Sequence, residues 1–394
     1  MLLAAGVFLV IACIVVYFAV FNEQEQFADG DSQKTFAVMY IENIPDAADK
    51  DRTAEMLANL LSTSLSQVKG LVVISRERLY GIQEELGEQK TTLTNPAVAS
   101  RIAKHAGVGT MLIGSIVQSQ PTLALSTHLV DVKTGAILSS QRIENFSTGR
   151  IFPLVDSLAV LVRASLSISA EAAAGARALS AVTTSSVEAY RSYLAGIDLR
   201  DKFFDAEAQA AWNKAIELDS SFAMAYYKLS TLEIADIESR KRSIQMSWRL
   251  RDRVTEKEKL QIEAAYANVI EKNPSKAIDV LEHLVNKYPH EQNIYHMLHS
   301  IYRDLWNRDK AIEANVRAVR NDPLDKNAWN NLAYYYADKN LRKEAIDATD
   351  RYIQLSPAEP NPYDTKGDIY AKFGDGDSAV YWYKKALSFR PDYW

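Results

Sequence analysis

Four prolines divide the last third of this chain into equal lengths. Pro289, Pro323, Pro357 and Pro391 each follow the last by 34 residues, and Ala277, Ala311, Ala345 and Ala379 keep the same step. A fixed period of this length marks a stacked array: one supersecondary unit recurs, and each copy buries its apolar face on its neighbours. Other positions fall in phase. Tyr295, Trp329 and Tyr363 recur near the start of a helix, Leu298 and Leu332 follow within the same turn, and Tyr302, Tyr336 and Tyr370 come one turn later. Ala318 and Ala386 mark a second helix in their units. Pairs of short antiparallel helices are therefore expected over this region.

A 34-residue unit with a small residue at mid-repeat and a proline near its end resembles the tetratricopeptide repeat (TPR). Repeats are expected over 258–291, 292–325, 326–359 and 360–393. Small residues belong where the helices touch, and Ala333 and Gly367 fill that slot in two repeats. His299 fills it in a third, so that helix pair should splay or tip the imidazole outward. Upstream, Tyr190, Leu194, Gly196, Ala208 and Ala215 sketch one further repeat, and Tyr226, Leu229 and Ser230 begin another. The latter is degenerate, with a dense basic face over 240–253. About six repeats are expected over 187–394, after a helical spacer at 170–186 whose Thr183, Thr184, Ser185 and Ser186 offer a cap. TPR arrays commonly end in a polar-faced helix, and Pro391-Asp392-Tyr393-Trp394 stands where one would begin. Self-association through that last repeat is one expectation, and continuation of the natural chain is the other.

The middle of the chain reads differently. Residues 35–41 and 71–74 are short, β-branched, apolar runs; between them Met56, Leu57, Leu60, Leu61, Leu65 and Val68 recur at helical spacing. Asn95-Pro96 supplies a cap and a first-turn proline to a helix carrying Val98, Ile102 and Ala106. Strands over 110–117, 123–132 and 136–142, the last two joined by Lys133-Thr134-Gly135, make an antiparallel meander, and a helix over 152–168 closes the layer. The runs Ala37-Val38-Met39-Tyr40-Ile41-Glu42-Asn43, Gly70-Leu71-Val72-Val73-Ile74-Ser75-Arg76, Leu112-Ile113-Gly114-Ser115 after Gly107-Val108, and Leu129-Val130-Asp131-Val132-Lys133-Thr134-Gly135 resemble, in order, a TolB N-terminal-like α/β domain. That module is linked to TPR arrays in bacterial adenylate cyclases and serine/threonine kinases. The resemblance implies an α/β fold over 35–169 and no shared catalytic residues. Met39-Tyr40 departs from the Leu-Pro of many relatives, which bears on the local strand geometry.

Ahead of this domain, residues 2–21 carry no charge or amide. At about 1.5 Å per residue they match a hydrocarbon core of about 30 Å, and nothing basic precedes them as in a signal peptide. A transmembrane anchor over 1–21 and a polar tether over 22–34 are expected. The acidic flank Glu23, Glu25, Asp29 and Asp31 favours a body outside the cytoplasm of a bacterial inner membrane. A lone cysteine, Cys13, excludes an internal disulfide and a thiolate metal cage. A net charge of −5 argues against nucleic acid as a partner.

Motifs of catalysis are missing. No Walker loop, kinase catalytic loop, nucleophile elbow or zinc-protease motif occurs. Gly107, Gly109 and Gly114 do not match the dinucleotide fingerprint. His296 and His299 share one helix, with His283 and His290 near in sequence, but no cysteine or carboxylate completes a ligand set, so no metal or cofactor is expected. What remains is a binding surface. The TPR resemblance implies a concave groove lined by the first helix of each repeat, here by Asn293, His296, Ser300, Arg303, Asn327, Asn330, Tyr334, Asn361, Asp364 and Asp368. Arg303 alone does not make the basic clamp that holds acidic chaperone tails. The reading is a membrane-anchored, non-enzymatic scaffold that grips a protein or peptide in this groove. Its alternative is the regulatory region of a TPR-bearing kinase or cyclase whose catalytic domain lies elsewhere.

Overall fold

The computed structural model describes residues 34–88, 95–118, 122–201, 204–232, 234–289 and 291–390. Five strands, β1 (Lys34–Asn43), β2 (Leu71–Val73), β3 (Thr110–Gln118), β4 (Leu123–Asp131) and β5 (Ile137–Phe146), form one mixed sheet in the order β2-β1-β3-β4-β5. β1 runs parallel to β3, while β3, β4 and β5 make an antiparallel meander. The hairpin between β4 and β5 closes as its residues dictate: Asp131 accepts from the Thr134 amide at 2.7 Å and hydroxyl at 2.6 Å, and Gly135 takes a φ of 75°. Register slips in β1 between Val38 and Tyr40.

Alternation along β1 sends side chains to two covered faces. Phe36 and Val38 pack with Leu57 and Leu61 of α1 (Thr53–Ser66) and with Leu154 and Leu158 of α4 (Ile151–Ser165). Ala37 and Met39 pack with Leu79 and Ile82 of α2 (Arg76–Glu85) and with Ile102 of α3 (Pro96–His105). The Asn95 side chain caps α3 by accepting from the Ala97 amide at 2.9 Å, with Pro96 in the first turn.

From Val187 onward the chain is helical pairs: α5 (Val187–Asp201) with α6 (Asp205–Leu218), α7 (Ala223–Ser230) with α8 (Ile237–Arg249), α9 (Glu256–Val269) with α10 (Pro274–Lys287), α11 (Gln292–Asp304) with α12 (Arg308–Asn321), α13 (Lys326–Asp338) with α14 (Arg342–Leu355), and α15 (Asn361–Lys372) with α16 (Gly376–Phe389). Each pair packs on the next, as a TPR array does. Small residues hold the helices close. A Cβ added at Gly196 would stand 2.3 Å from Trp212 Nε1, and one at Gly367 would stand 2.5 Å from the Tyr383 ring. His299 does not tip outward. It stays buried and turns toward the following pair, where its Nε2 lies 3.1 Å from the Tyr335 hydroxyl. The pair α7 and α8 is the irregular one, with an eight-residue first helix. There Arg251 sits 4.0 Å over the Trp248 ring, which stacks on Tyr266 at 4.3 Å.

The sheet and the array share one core. The cluster behind α1 and α4 runs on through Leu179, Val182, Tyr190, Trp212 and Phe222 as far as Ile262. Residues 170–186 therefore contribute buried side chains, Leu179 and Val182, rather than a bare strut. A second contact lies farther along the array. Arg78 of α2 donates to the Asn321 carbonyl at 3.1 Å and pairs with Asp322 at 3.3 Å, and Leu324 packs on Gly81.

One expectation is corrected. Among the described residues no helix is long and apolar enough to cross a membrane. The longest, α4 and α5, have 15 residues each, about 22 Å of rise against a core of about 30 Å. The segment 2–21, from which a bacterial inner-membrane location was expected, lies outside the described residues, as does the tether before Lys34. That location is accordingly withdrawn.

Candidate functional site

The residues expected to line a groove lie on α11, α13 and α15, the first helices of three successive pairs. Heptad-like spacing does the positioning: residues three and four apart share a helix face, so Asn327, Asn330 and Tyr334 form one stripe on α13, and Asn361, Asp364 and Asp368 form its counterpart on α15. The two helices touch directly, and polar bonds tie the stripes together. Thr365 donates to Asn330 at 2.9 Å. The Tyr334 hydroxyl donates to Asp368 at 2.7 Å, and the Tyr383 hydroxyl, arriving from α16, donates to the other oxygen of the same carboxylate at 2.7 Å.

This cluster is electrostatically uneven. Burial, together with the charge of Asp368 one turn away, raises the pKa of Asp364 above the usual carboxylate range. Its Oδ1 is shielded from solvent and accepts no hydrogen bond among the described residues. Tyr334 is raised by burial and by its bond to Asp368, and Tyr383 is pushed up to about 12 for the same two reasons. Both phenols are therefore donors at neutral pH, and Asp368 is the acceptor they share. Asp368 thus accepts from two phenols, while Asp364, partly exposed, keeps one oxygen inward and without a donor among the described residues.

The α11 residues are placed differently. Asn293 is exposed. His296 lies 3.2 Å from Asp325, which also caps α13 by accepting from the Ala328 amide at 3.0 Å. Burial works against a charge on His296, but the Asp325 carboxylate outweighs it and raises the imidazole pKa. Arg303 sits at the far end of α11 and reaches Ser300 at 3.4 Å and Asp304 at 3.2 Å, long contacts for a guanidinium. Asn361 turns away from the stripe to donate to the Tyr352 hydroxyl at 2.9 Å. So Asn330, Tyr334, Asp364 and Asp368 come together, Asn327 stands exposed beside them, and His296, Arg303 and Asn361 have other local partners.

Sequence reasoning missed Thr365, Tyr383 and Asp325. Asp325 had a signal, since an aspartate three residues before Ala328 and just after the Pro323 turn is a ready cap. Tyr383 had a fainter one, because Gly367 on the facing helix is what leaves space for its ring.

No protein-family model matches the chain, and no curated protein matches it significantly. Solved structures do align. YrrB, a TPR protein with an unusual peptide-binding site, is 20% identical over 52% of this chain and 88% of its own, with a TM-score of 0.29. PilW, a widely conserved type IV pilus biogenesis factor, is 11% identical over 52% and 94%, with a TM-score of 0.39. The C-terminal domain of LpoB from Salmonella enterica is 23% identical over 30% and 88%, with a TM-score of 0.26. At such TM-scores the likenesses carry no argument, and the array stands on its own period, helix pairs and contacts.

Proposed function

We propose that this chain is a TPR scaffold whose α13–α15 face holds a segment of another protein. The observation that carries the reading is the cross-repeat cluster of Asn330, Tyr334, Thr365, Asp364 and Asp368. It places amide, phenol and carboxylate groups in one row, with Asp364 partly exposed on it. Asn side chains both donate and accept and so suit an extended peptide backbone, while Asp364 suits a lysine or arginine of the ligand. A flat aromatic such as Tyr334 is the residue type that dominates interface energetics. The experiment is cross-linking capture from lysate with wild-type chain and with a Tyr334→Ala, Asp364→Asn double variant. Proteins lost with the variant support the reading; identical captures from both sink it. We also propose the outer face of α16, where Val380 and Tyr381 are exposed, as a surface for self-association. A strictly monomeric mass by light scattering at high concentration would exclude that use.

A further inference from the structure

The repeats supply their own internal standard. Lys272, Trp306, Asn340 and Gly374 stand 34 residues apart, each just past the first helix of its pair, and all have positive φ: 53°, 57°, 59° and 77°. This left-handed conformation crowds any Cβ and is easiest for glycine and asparagine, the residues found at two of the four places. A bulky tryptophan is disfavoured there, and burial does not offset the strain. The Trp306 side chain is 83% exposed and, among the described residues, makes no ring contact and no hydrogen bond. Only its backbone serves the turn, its amide donating to the Arg303 carbonyl at 2.9 Å. All four positions are exposed, and only this one carries a large aromatic side chain, which points to a role outside folding.

The surroundings say what that role is. Trp306 borders a cleft of about 660 Å³ lined also by Arg303, Asp304, Arg308, Tyr335 and Asp338. Leu305, 48% exposed and next to Trp306 in the chain, lines a smaller hollow with Val269, Pro274 and Ile301. The two carboxylates of the cleft are occupied, Asp304 by Arg303 and Asp338 by Lys372. Arg308 comes no nearer to Asp338 than 4.0 Å, beyond hydrogen-bond reach, and its side chain is 60% exposed. Among the described residues this long ion pair is what Arg308 has, and a guanidinium so placed beside an open indole is complementary to a carboxylate next to an apolar ring.

We infer that the turn after α11 is a second docking surface, for a protein segment that presents an aromatic side chain beside a carboxylate. The aromatic ring packs on Trp306 and Leu305, and the carboxylate takes Arg308, with Arg303 next to it. With both carboxylates of the wall paired, to Arg303 and Lys372, Arg308 offers a single cationic fork, which matches one carboxylate of a protein segment rather than the run of phosphates of a nucleic acid. Lys272, Asn340 and Gly374 leave the other turns without such a ring, which confines the surface to one repeat.

Two measurements on the full chain test this. In the first, Trp306→Asn, which matches the residue at the next repeat, is unfolded in denaturant; its midpoint is expected at or above that of wild type. A lower midpoint means the ring serves the fold and overturns the inference. In the second, fluorescein-labelled 12-residue Gly-Ser peptides carrying Phe-Asp-Asp, Ser-Asp-Asp or Phe-Lys-Lys, and a labelled oligo-dT, are titrated. The Phe-Asp-Asp peptide is expected to bind best, about tenfold weaker to Trp306→Asn and severalfold weaker to Arg308→Ser, and unchanged by Tyr334→Ala. No binding at millimolar concentration, equal binding to wild type and Trp306→Asn, or preference for Phe-Lys-Lys or oligo-dT would each overturn it. Loss with Tyr334→Ala instead would assign the peptide to the α13–α15 face.

Discussion

Replacing Gly367 with alanine should destabilise the last repeat, although the change favours a helix in isolation. In the middle of a helix the substitution gains about 0.5–1 kcal/mol of backbone entropy. Here the new Cβ would stand 2.5 Å from Tyr383 Cε1 and 2.6 Å from Cδ1, far inside contact distance. Either α15 and α16 part, at an overpacking cost of about 1–3 kcal/mol, or the ring swings away and the Tyr383–Asp368 bond is lost. A hydrogen bond to a charged group is worth about 1.5–3 kcal/mol, with the lower end apt for a hydroxyl that water can reach. The net expectation is a loss of about 0.5–2 kcal/mol. Urea unfolding followed by tryptophan fluorescence measures it, since Trp382 stacks on Tyr363 in the same pair. Ala333→Gly one repeat earlier serves as the comparison, losing about 0.5–1 kcal/mol of backbone entropy and about 0.8 kcal/mol for its buried methyl, with no clash. If Gly367→Ala is as stable as wild type or more so, the close packing of Tyr383 over α15 is refuted.

Three further outcomes follow from the same contacts. His299 has its pKa lowered to about 4, first by burial and then by the Arg303 charge. The folded state thus binds fewer protons than the unfolded one between pH 6.5 and 4, so this residue's stability is present above pH 6.5 and is lost as pH falls through that window, by on the order of 3 kcal/mol. A His299→Ala variant should flatten the acid limb of a stability–pH curve; an unchanged limb contradicts the buried neutral imidazole. The His296–Asp325 pair acts in the opposite sense: its raised pKa gives stability that is full below pH 6.5 and is lost as pH rises through the folded-state value, so His296→Gln should reduce stability more at pH 6 than at pH 8.5. Arg78→Ala removes two partners from the turn at Asn321 and Asp322 and should cost about 1–3 kcal/mol. Hydrogen exchange should then rise in α2; unchanged protection there would mean that the contact contributes nothing.

Much of this fold was legible because local rules carried it. The period of the prolines and alanines required stacked helix pairs, Asn95-Pro96 named a helix start, and Lys133-Thr134-Gly135 named a hairpin. The contact of α2 with the Asn321–Leu324 turn was not legible, because it joins residues 243 positions apart and no local rule links them. The row on α13 and α15 was legible in its positions but not in its bonding. Repeat register places Asn361 with Asp364 and Asp368, whereas the nearer Tyr352 hydroxyl draws its amide away. His299 misled for a similar reason: the slot demands a small side chain, but the Tyr335 hydroxyl of the next pair offers the imidazole a buried partner. Trp306 passed unnoticed because no periodic rule marks a residue that is strained and exposed.

The central claim is that the α13–α15 face holds a protein segment, and hydrogen–deuterium exchange tests it most directly. Peptides selected by display against the full chain would be added at saturation, and exchange compared with the free protein. Slowed exchange concentrated in α13 and α15, and abolished in the Tyr334→Ala, Asp364→Asn variant, is the predicted result. Protection confined to the sheet, to the turn at Trp306 or to α16, with α13 and α15 unchanged, would contradict it.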